Sequence, residues 1–142
     1  MFIGEYQLTI DDKGRAPVPA RFRASFADGA VVTRGLDRSL FLYTKAQWAE
    51  MAAKISALPL TSQSARNFSR LMLAGAVEVE LDRQGRFILP AYLREFATLD
   101  KAVTFAGVGD RVEIWDAPTW TAYQEQLLDS QDSIDNLENL GI

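Results

Sequence analysis

The chain of 142 residues contains neither cysteine nor histidine. Without cysteine there is no disulfide framework and no thiolate metal site, which suits a reducing compartment. Without histidine the commonest general base near neutral pH and the commonest metal ligand are both missing. Ser–His, Cys–His and zinc-hydrolase mechanisms each lose an essential member, leaving carboxylate or lysine chemistry as the remaining catalytic routes. Long apolar runs are lacking too, so no segment reads as a membrane span. The opening MFIGEYQ acquires an acid too early for a signal peptide. Together these absences favour a cytoplasmic protein whose work is not catalysis.

What is present is a 48% hydrophobic composition, enough to bury one compact core or two small ones that share it. The net charge is −4, and it is unevenly spread. Residues 1–72 carry ten Lys/Arg against six Asp/Glu, whereas residues 73–142 carry five against thirteen. Between Lys13 and Arg38 six basic residues face only Asp28 and Asp37. A basic first half tied to an acidic second half implies that one part meets a polyanion and the other does not.

The halves are also copies. IDDKGRAPVPARFR and LDRQGRFILPAYLR align with an offset of 71, which maps Asp11 to Asp82, Gly14 to Gly85, Arg15 to Arg86, Pro19 to Pro90 and Arg23 to Arg94. Further on, Tyr43 and Trp48 match Trp115 and Trp120 after a one-residue slip. In copy one Tyr6, Leu8 and Ile10 alternate as in a strand, Asp11–Gly14 form a turn, and Arg15 opens the return strand. Gly14 stands where a tight hairpin needs positive φ, and Asp11 can accept from turn amides. Copy two repeats this with Val77, Val79 and Leu81, the turn DRQG, and RFIL.

Pro19 and Pro90 each introduce a short helix, PARFRASF and PAYLREFA. Two strands around a turn follow in each copy, with LDR at 36–38 and GDR at 109–111 marking the turns. Thr44 with Gln47 resembles a capping box opening a helix that Pro59 closes. SQSARNFSRLML reads as a connecting helix, and Asp116 with Pro118 starts another. The tail DSQDSIDNLENLGI is acidic, with Ile134, Leu137 and Leu140 spaced for either a docked helix or a frayed end. The expected organisation is module 1 over residues 5–47, a helical connector over 48–75, module 2 over 76–119, and a C-terminal helix with acidic tail over 120–142. Isolated two-stranded hairpins are marginal in water, so the two copies are expected to complete one barrel by pairing with each other.

These residues resemble the MraZ family of bacterial transcriptional regulators, built from two tandem SpoVT/AbrB-like modules. The likeness rests on MFIGEY, on the D-x-x-x-R pairs Asp11…Arg15 and Asp82…Arg86, and on the proline and short helix behind each. It implies an α+β fold, an AbrB-like swapped-hairpin β-barrel formed by two internally repeated modules and flanked by helices. It also implies a nucleoid-associated, ring-forming homo-oligomer. Such a ring binds double-stranded promoter DNA at short direct repeats and represses its own promoter and a division and cell-wall gene cluster. Carried over residue by residue, the DNA-binding candidates are Arg15 and Arg23, with Lys13 and Arg21 added from charge and location. Arginine's planar fork suits guanine or phosphate, so Arg15 is assigned to orientation or base contact and Lys13, Arg21 and Arg23 to phosphates.

Asp11, Gly14, Asp82, Gly85 and Arg86 form the structural signature, each Asp–Arg pair fastening the base of its hairpin. Copy two replaces Lys13 by Gln84 and Arg21 by Tyr92 and adds Glu78, Glu80 and Glu95, so it is expected to be structural or to lie at the subunit contact. Arg83 restores one positive charge beside its turn. Arg34 and Arg38 read equally as DNA contacts or as solvated loop charges. Phe22, Phe26, Phe41, Trp48, Trp115 and Trp120 read as core or interface. No cofactor, metal or small-molecule substrate is called for. The rival readings are a single-module antitoxin-like regulator, a non-DNA structural oligomer or adaptor on the same barrel, and a carboxylate-dependent enzyme.

Overall fold

The two copies exchange strands. In the computed structural model, which describes residues 1–129 and residue 140, strand β1 (Phe2–Thr9) runs into the Asp11–Gly14 turn and on to β2 (Arg15–Pro17). A 3-10 helix (Ala20–Phe26) and the hairpin β3 (Ala30–Arg34) and β4 (Leu40–Thr44) complete copy one. Helices α1 (Lys45–Ser56) and α2 (Gln63–Ala74) lead to copy two. There β5 (Val77–Val79), β6 (Arg86–Ile88), α3 (Ala91–Phe96), β7 (Ala102–Gly109) and β8 (Val112–Asp116) repeat the order, and α4 (Ala117–Asp129) follows. The fold is α+β.

Each copy's first strand pairs antiparallel with the other copy's third, β1 with β7 and β5 with β3. The second strands pair with each other, as do the fourth, β2 with β6 and β4 with β8. The result is a six-stranded sheet in the order β1-β7-β8-β4-β3-β5 and a separate two-stranded ribbon, β2-β6. The hydrogen bonding is therefore divided between two sheets and is not continuous around one barrel. The expected return strand after each Asp turn does form, but it does not ladder with the strand before it. Only the turn itself is local, with Gly14 N–H donating to Asp11 O at 3.0 Å and Gly85 N–H to Asp82 O at 3.0 Å. A three-residue arm has few ladder bonds to offer at home, and pairing it with its counterpart lets both arms cover one core.

That core lies between the large sheet, the ribbon and the short helices, and draws on both copies: Phe2, Phe22, Phe26, Phe87, Leu93, Phe105 and Ile114 are all buried in it. Phe22 and Phe26 point inward as expected, and Phe2 stacks on Phe26 at 5.3 Å and meets Phe22 edge-on at 5.1 Å. The opposite face of the sheet is buried as well. Leu40 and Leu42 of β4 enter the first core, while Phe41 and Tyr43 pack under α1 and α2 with Ile55, Met72 and Trp48. Strand periodicity alone produces this split, since successive side chains point to opposite faces.

The helix starts follow the sequence signals. Thr44 Oγ1 accepts from Gln47 N–H at 3.1 Å, Ser62 Oγ from Ala65 N–H at 3.2 Å, and Asp116 Oδ2 from Thr119 N–H at 3.2 Å. Pro19 and Pro90 sit just before their short helices. Trp115 and Trp120 pack 5.3 Å apart, holding α4 to β8. The tail expectation for Ile134 and Leu137 lies outside the described residues.

Candidate nucleic-acid interface

Each signature aspartate organises its own turn. Asp11 Oδ1 accepts from Lys13 N–H and Arg15 N–H, both at 2.9 Å, and Oδ2 takes Arg15 Nε at 2.6 Å. Asp82 does the same with Gln84 N–H at 2.9 Å and with Arg86 N–H and Nε, both at 3.0 Å. The Arg15 amide, then the guanidinium and the Lys13 amide, hold the Asp11 carboxyl below its ordinary value of 3.8 against a smaller opposing effect of desolvation. Asp82 is lowered in the same way, chiefly by the Arg86 amide. The aspartates are thus fasteners, and the i,i+4 pairing aims each arginine.

The ribbon then brings the two arginines onto one face. Its register sets Arg15 opposite Ile88 and Pro17 opposite Arg86. Directly opposed residues project to the same side, so Arg15, Pro17, Arg86 and Ile88 share the outward face while Ala16 and Phe87 turn into the core. Arg86 Nη1 lies 3.9 Å from Asp11 Oδ2, which links the two signatures directly. Copy two's arginine is therefore part of the same surface as Arg15, although the surrounding charges differ.

The exchange also crosses the short helices over the turns. Val18 N–H donates to Gly85 O and Leu89 N–H to Gly14 O, both at 2.9 Å, so each ribbon strand ends against the other copy's turn. Arg23 Nε donates to Val18 O at 2.9 Å, and its side chain lies over Gly85; Arg94 Nε donates to Leu89 O at 3.0 Å and lies over Gly14. Both glycines have φ of +77°, and a Cβ on Gly85 would collide with Arg23 Nε. Arg23 is thus committed through Nε to the fold, with its Nε, Cδ and Cζ lying over the second turn. Lys13 and Arg21 are exposed.

The sequence had grouped Lys13, Arg15, Arg21 and Arg23 as one cluster. In space Lys13 shares its turn with Arg94, and Arg23 shares the other turn with exposed Arg83. Arg94 escaped assignment to the first turn because the exchange is non-local, although the same offset that pairs it with Arg23 was available as a signal. Arg34, at the end of β3, lies 5.7 Å from the ring of Tyr92 and Arg38 5.2 Å from that of Phe96, so both arginines pack onto α3. Among the described residues no group of acids is placed to hold a metal ion, and no helix is long and apolar enough to cross a membrane.

Tandem copies that exchange strands, with an Asp–Arg pair at each exchanged turn, define a class of duplicated α+β proteins. The family described as "MraZ protein, putative antitoxin-like" matches residues 1–71 and again residues 72–140, and the chain belongs to it. Relatives span nearly their whole length. One from Herpetosiphon aurantiacus is 48% identical over 129 residues, 91% of this chain and 90% of its own. One from Moorella thermoacetica is 50% identical over 134 residues, 94% of each chain. One from Desulfitobacterium hafniense is 49% identical over 143 aligned positions, covering both chains completely. Each of these relatives is named as the transcriptional regulator MraZ.

Proposed function

We propose that this chain is a sequence-specific DNA-binding transcriptional regulator that uses the β2–β6 ribbon as its reading surface. The observation that carries the proposal is the placement of Arg15 and Arg86 on the one outward face of a two-stranded ribbon, flanked by basic residues at both turns. A two-stranded ribbon is one of the elements that fit the major groove, and arginine's fork matches the O6/N7 edge of guanine. Asp11 holds Arg15 ready, which reduces the ordering cost of contact. Lys13, Arg21 and the outer nitrogens of Arg23 serve phosphates, which position the protein without specifying sequence. The relatives' names agree with this reading.

A homo-oligomeric ring, nucleoid-associated, engages short direct repeats in its own promoter and represses the division and cell-wall cluster behind it. A single subunit with about four basic contacts binds weakly and loses affinity with salt at a log–log slope of about −0.9 per phosphate neutralised. Several subunits on spaced repeats gain through effective concentration, on the order of 10²–10⁴. The net charge of −4 favours the alternative of a non-DNA structural oligomer, which would assemble without affinity for the promoter.

Fluorescence anisotropy with DNA from upstream of the protein's own gene tests the proposal. Arg15→Ala is expected to retain its circular dichroism and mass yet lose about 5- to 150-fold in affinity, in line with the roughly 1–3 kcal/mol of one bidentate base contact. Arg86→Ala, which removes a bridge to both Asp82 and Asp11, is expected to reduce stability more and affinity less. Unchanged affinity of Arg15→Ala removes it from the site, and the reverse ranking of the two variants exchanges the roles of the copies.

A further inference from the structure

Ile88 is 66% exposed on the outward face of the ribbon, between two arginines. Its neighbours Phe87 and Leu89 are buried, so strand alternation holds it out of the core. It lines a shallow concavity of about 310 Å³ together with Arg15, Glu80, Asp82 and Arg86. Nothing in the core requires an isoleucine there. A β-branched side chain suits a strand, and here it leaves one apolar surface among the charged groups of the outward face.

We propose that Ile88 contacts the C5-methyl group of a thymine adjacent to the base that Arg15 contacts, and so adds sequence preference that arginine alone does not supply. Directly opposed residues of an antiparallel pair have Cβ atoms about 4.5–5.5 Å apart. Successive bases along one strand rise by about 3.4 Å. Arg15 and Ile88 are therefore spaced to address neighbouring base pairs in one groove. Thymine is the base that carries a methyl group on its major-groove edge, and apolar side chains are its natural partners. Arg15 supplies the polar half of the readout, Ile88 the apolar half.

This inference rests on the DNA-binding reading, and deoxyuridine substitution separates the two. Deoxyuridine pairs as thymidine does and lacks only the methyl group. The wild-type full-length protein is titrated against its own promoter DNA, then against duplexes with single thymidines replaced. One position per repeat is expected to weaken binding about fourfold, the share of one buried methyl-sized group. Ile88→Ala is expected to bind the parent duplex about fourfold more weakly and to be indifferent to uracil at that position. Ile88→Val is expected to keep the sensitivity. If the wild type binds no promoter DNA, the regulator reading falls and this one with it. If binding is intact and no uracil position matters, or if Ile88→Ala keeps the same uracil penalty, the role of Ile88 is refuted. A changed oligomeric mass of Ile88→Ala in light scattering refutes it as well, by making Ile88 a contact between copies.

Discussion

Replacing Gly85 by alanine perturbs the point where the copies cross, and does so in two separable ways. The φ of +77° places the residue in the left-handed region, which costs an L side chain about 1–2 kcal/mol. The new Cβ would also collide with Arg23 Nε and lie 2.6 Å from Arg23 Cδ, so the arginine stem must swing away. That swing breaks the bond from Nε to Val18 O, worth about 1 kcal/mol at an exposed arginine where water replaces the donor. The expected loss is about 2–3 kcal/mol. Gly14→Ala is the internal control. It shares the φ of +77°, but the nearest Arg94 atoms stand 3.1 and 3.2 Å away, and a flexible guanidinium yields by tenths of an ångström. Its expected loss is the backbone part alone, about 1–2 kcal/mol. Urea melts followed by the fluorescence of Trp48, Trp115 and Trp120, at one fixed protein concentration, measure both. In an Arg23→Ala background the cost of Gly85→Ala should fall to that of Gly14→Ala, a coupling of about 1 kcal/mol. Equal costs for the two glycine variants, or no coupling to Arg23, would refute the crossing-point reasoning.

Two further expectations concern the core and the turns. Phe26→Ala removes a fully buried ring stacked on Phe2 and should cost about 3–5 kcal/mol in a thermal or urea melt; a loss below about 1 kcal/mol would mean that the aromatic cluster does not anchor the short helix. Asp11 and Asp82 have folded pKa values below the ordinary 3.8, so their contribution is complete above that value and is lost as the pH falls through the lower folded values. Acid titration of the wild type should therefore show a stability loss that the Asp11→Asn/Asp82→Asn variant shows less of, and identical acid profiles would contradict the fastener role.

Much of the local structure was written where the sequence shows it. An aspartate that caps its own turn, a glycine at positive φ, a proline before a short helix and a hydroxyl at a helix start each act within about four residues. Asp11, Gly14, Pro19 and Thr44 could be read one at a time, and the offset of 71 showed that the first three recur. Charge, too, was legible as a distribution.

Pairing between the copies was expected from the marginal stability of lone hairpins and from the family resemblance, but the individual strand partners were not legible. The alternation of β1 and the three-residue span of β2 are equally compatible with a closed hairpin and with an exchanged one. Only burying a common core decides between them, because neither arm has enough surface to do it alone. That decision moved Arg23 to the turn of Gly85, brought Arg94 to Gly14, and set Arg86 and Ile88 beside Arg15. Residue identity and short-range geometry determined what each side chain is able to do; the pairing of strands far apart in the chain, a property of the whole buried interior, determined which of them stand together.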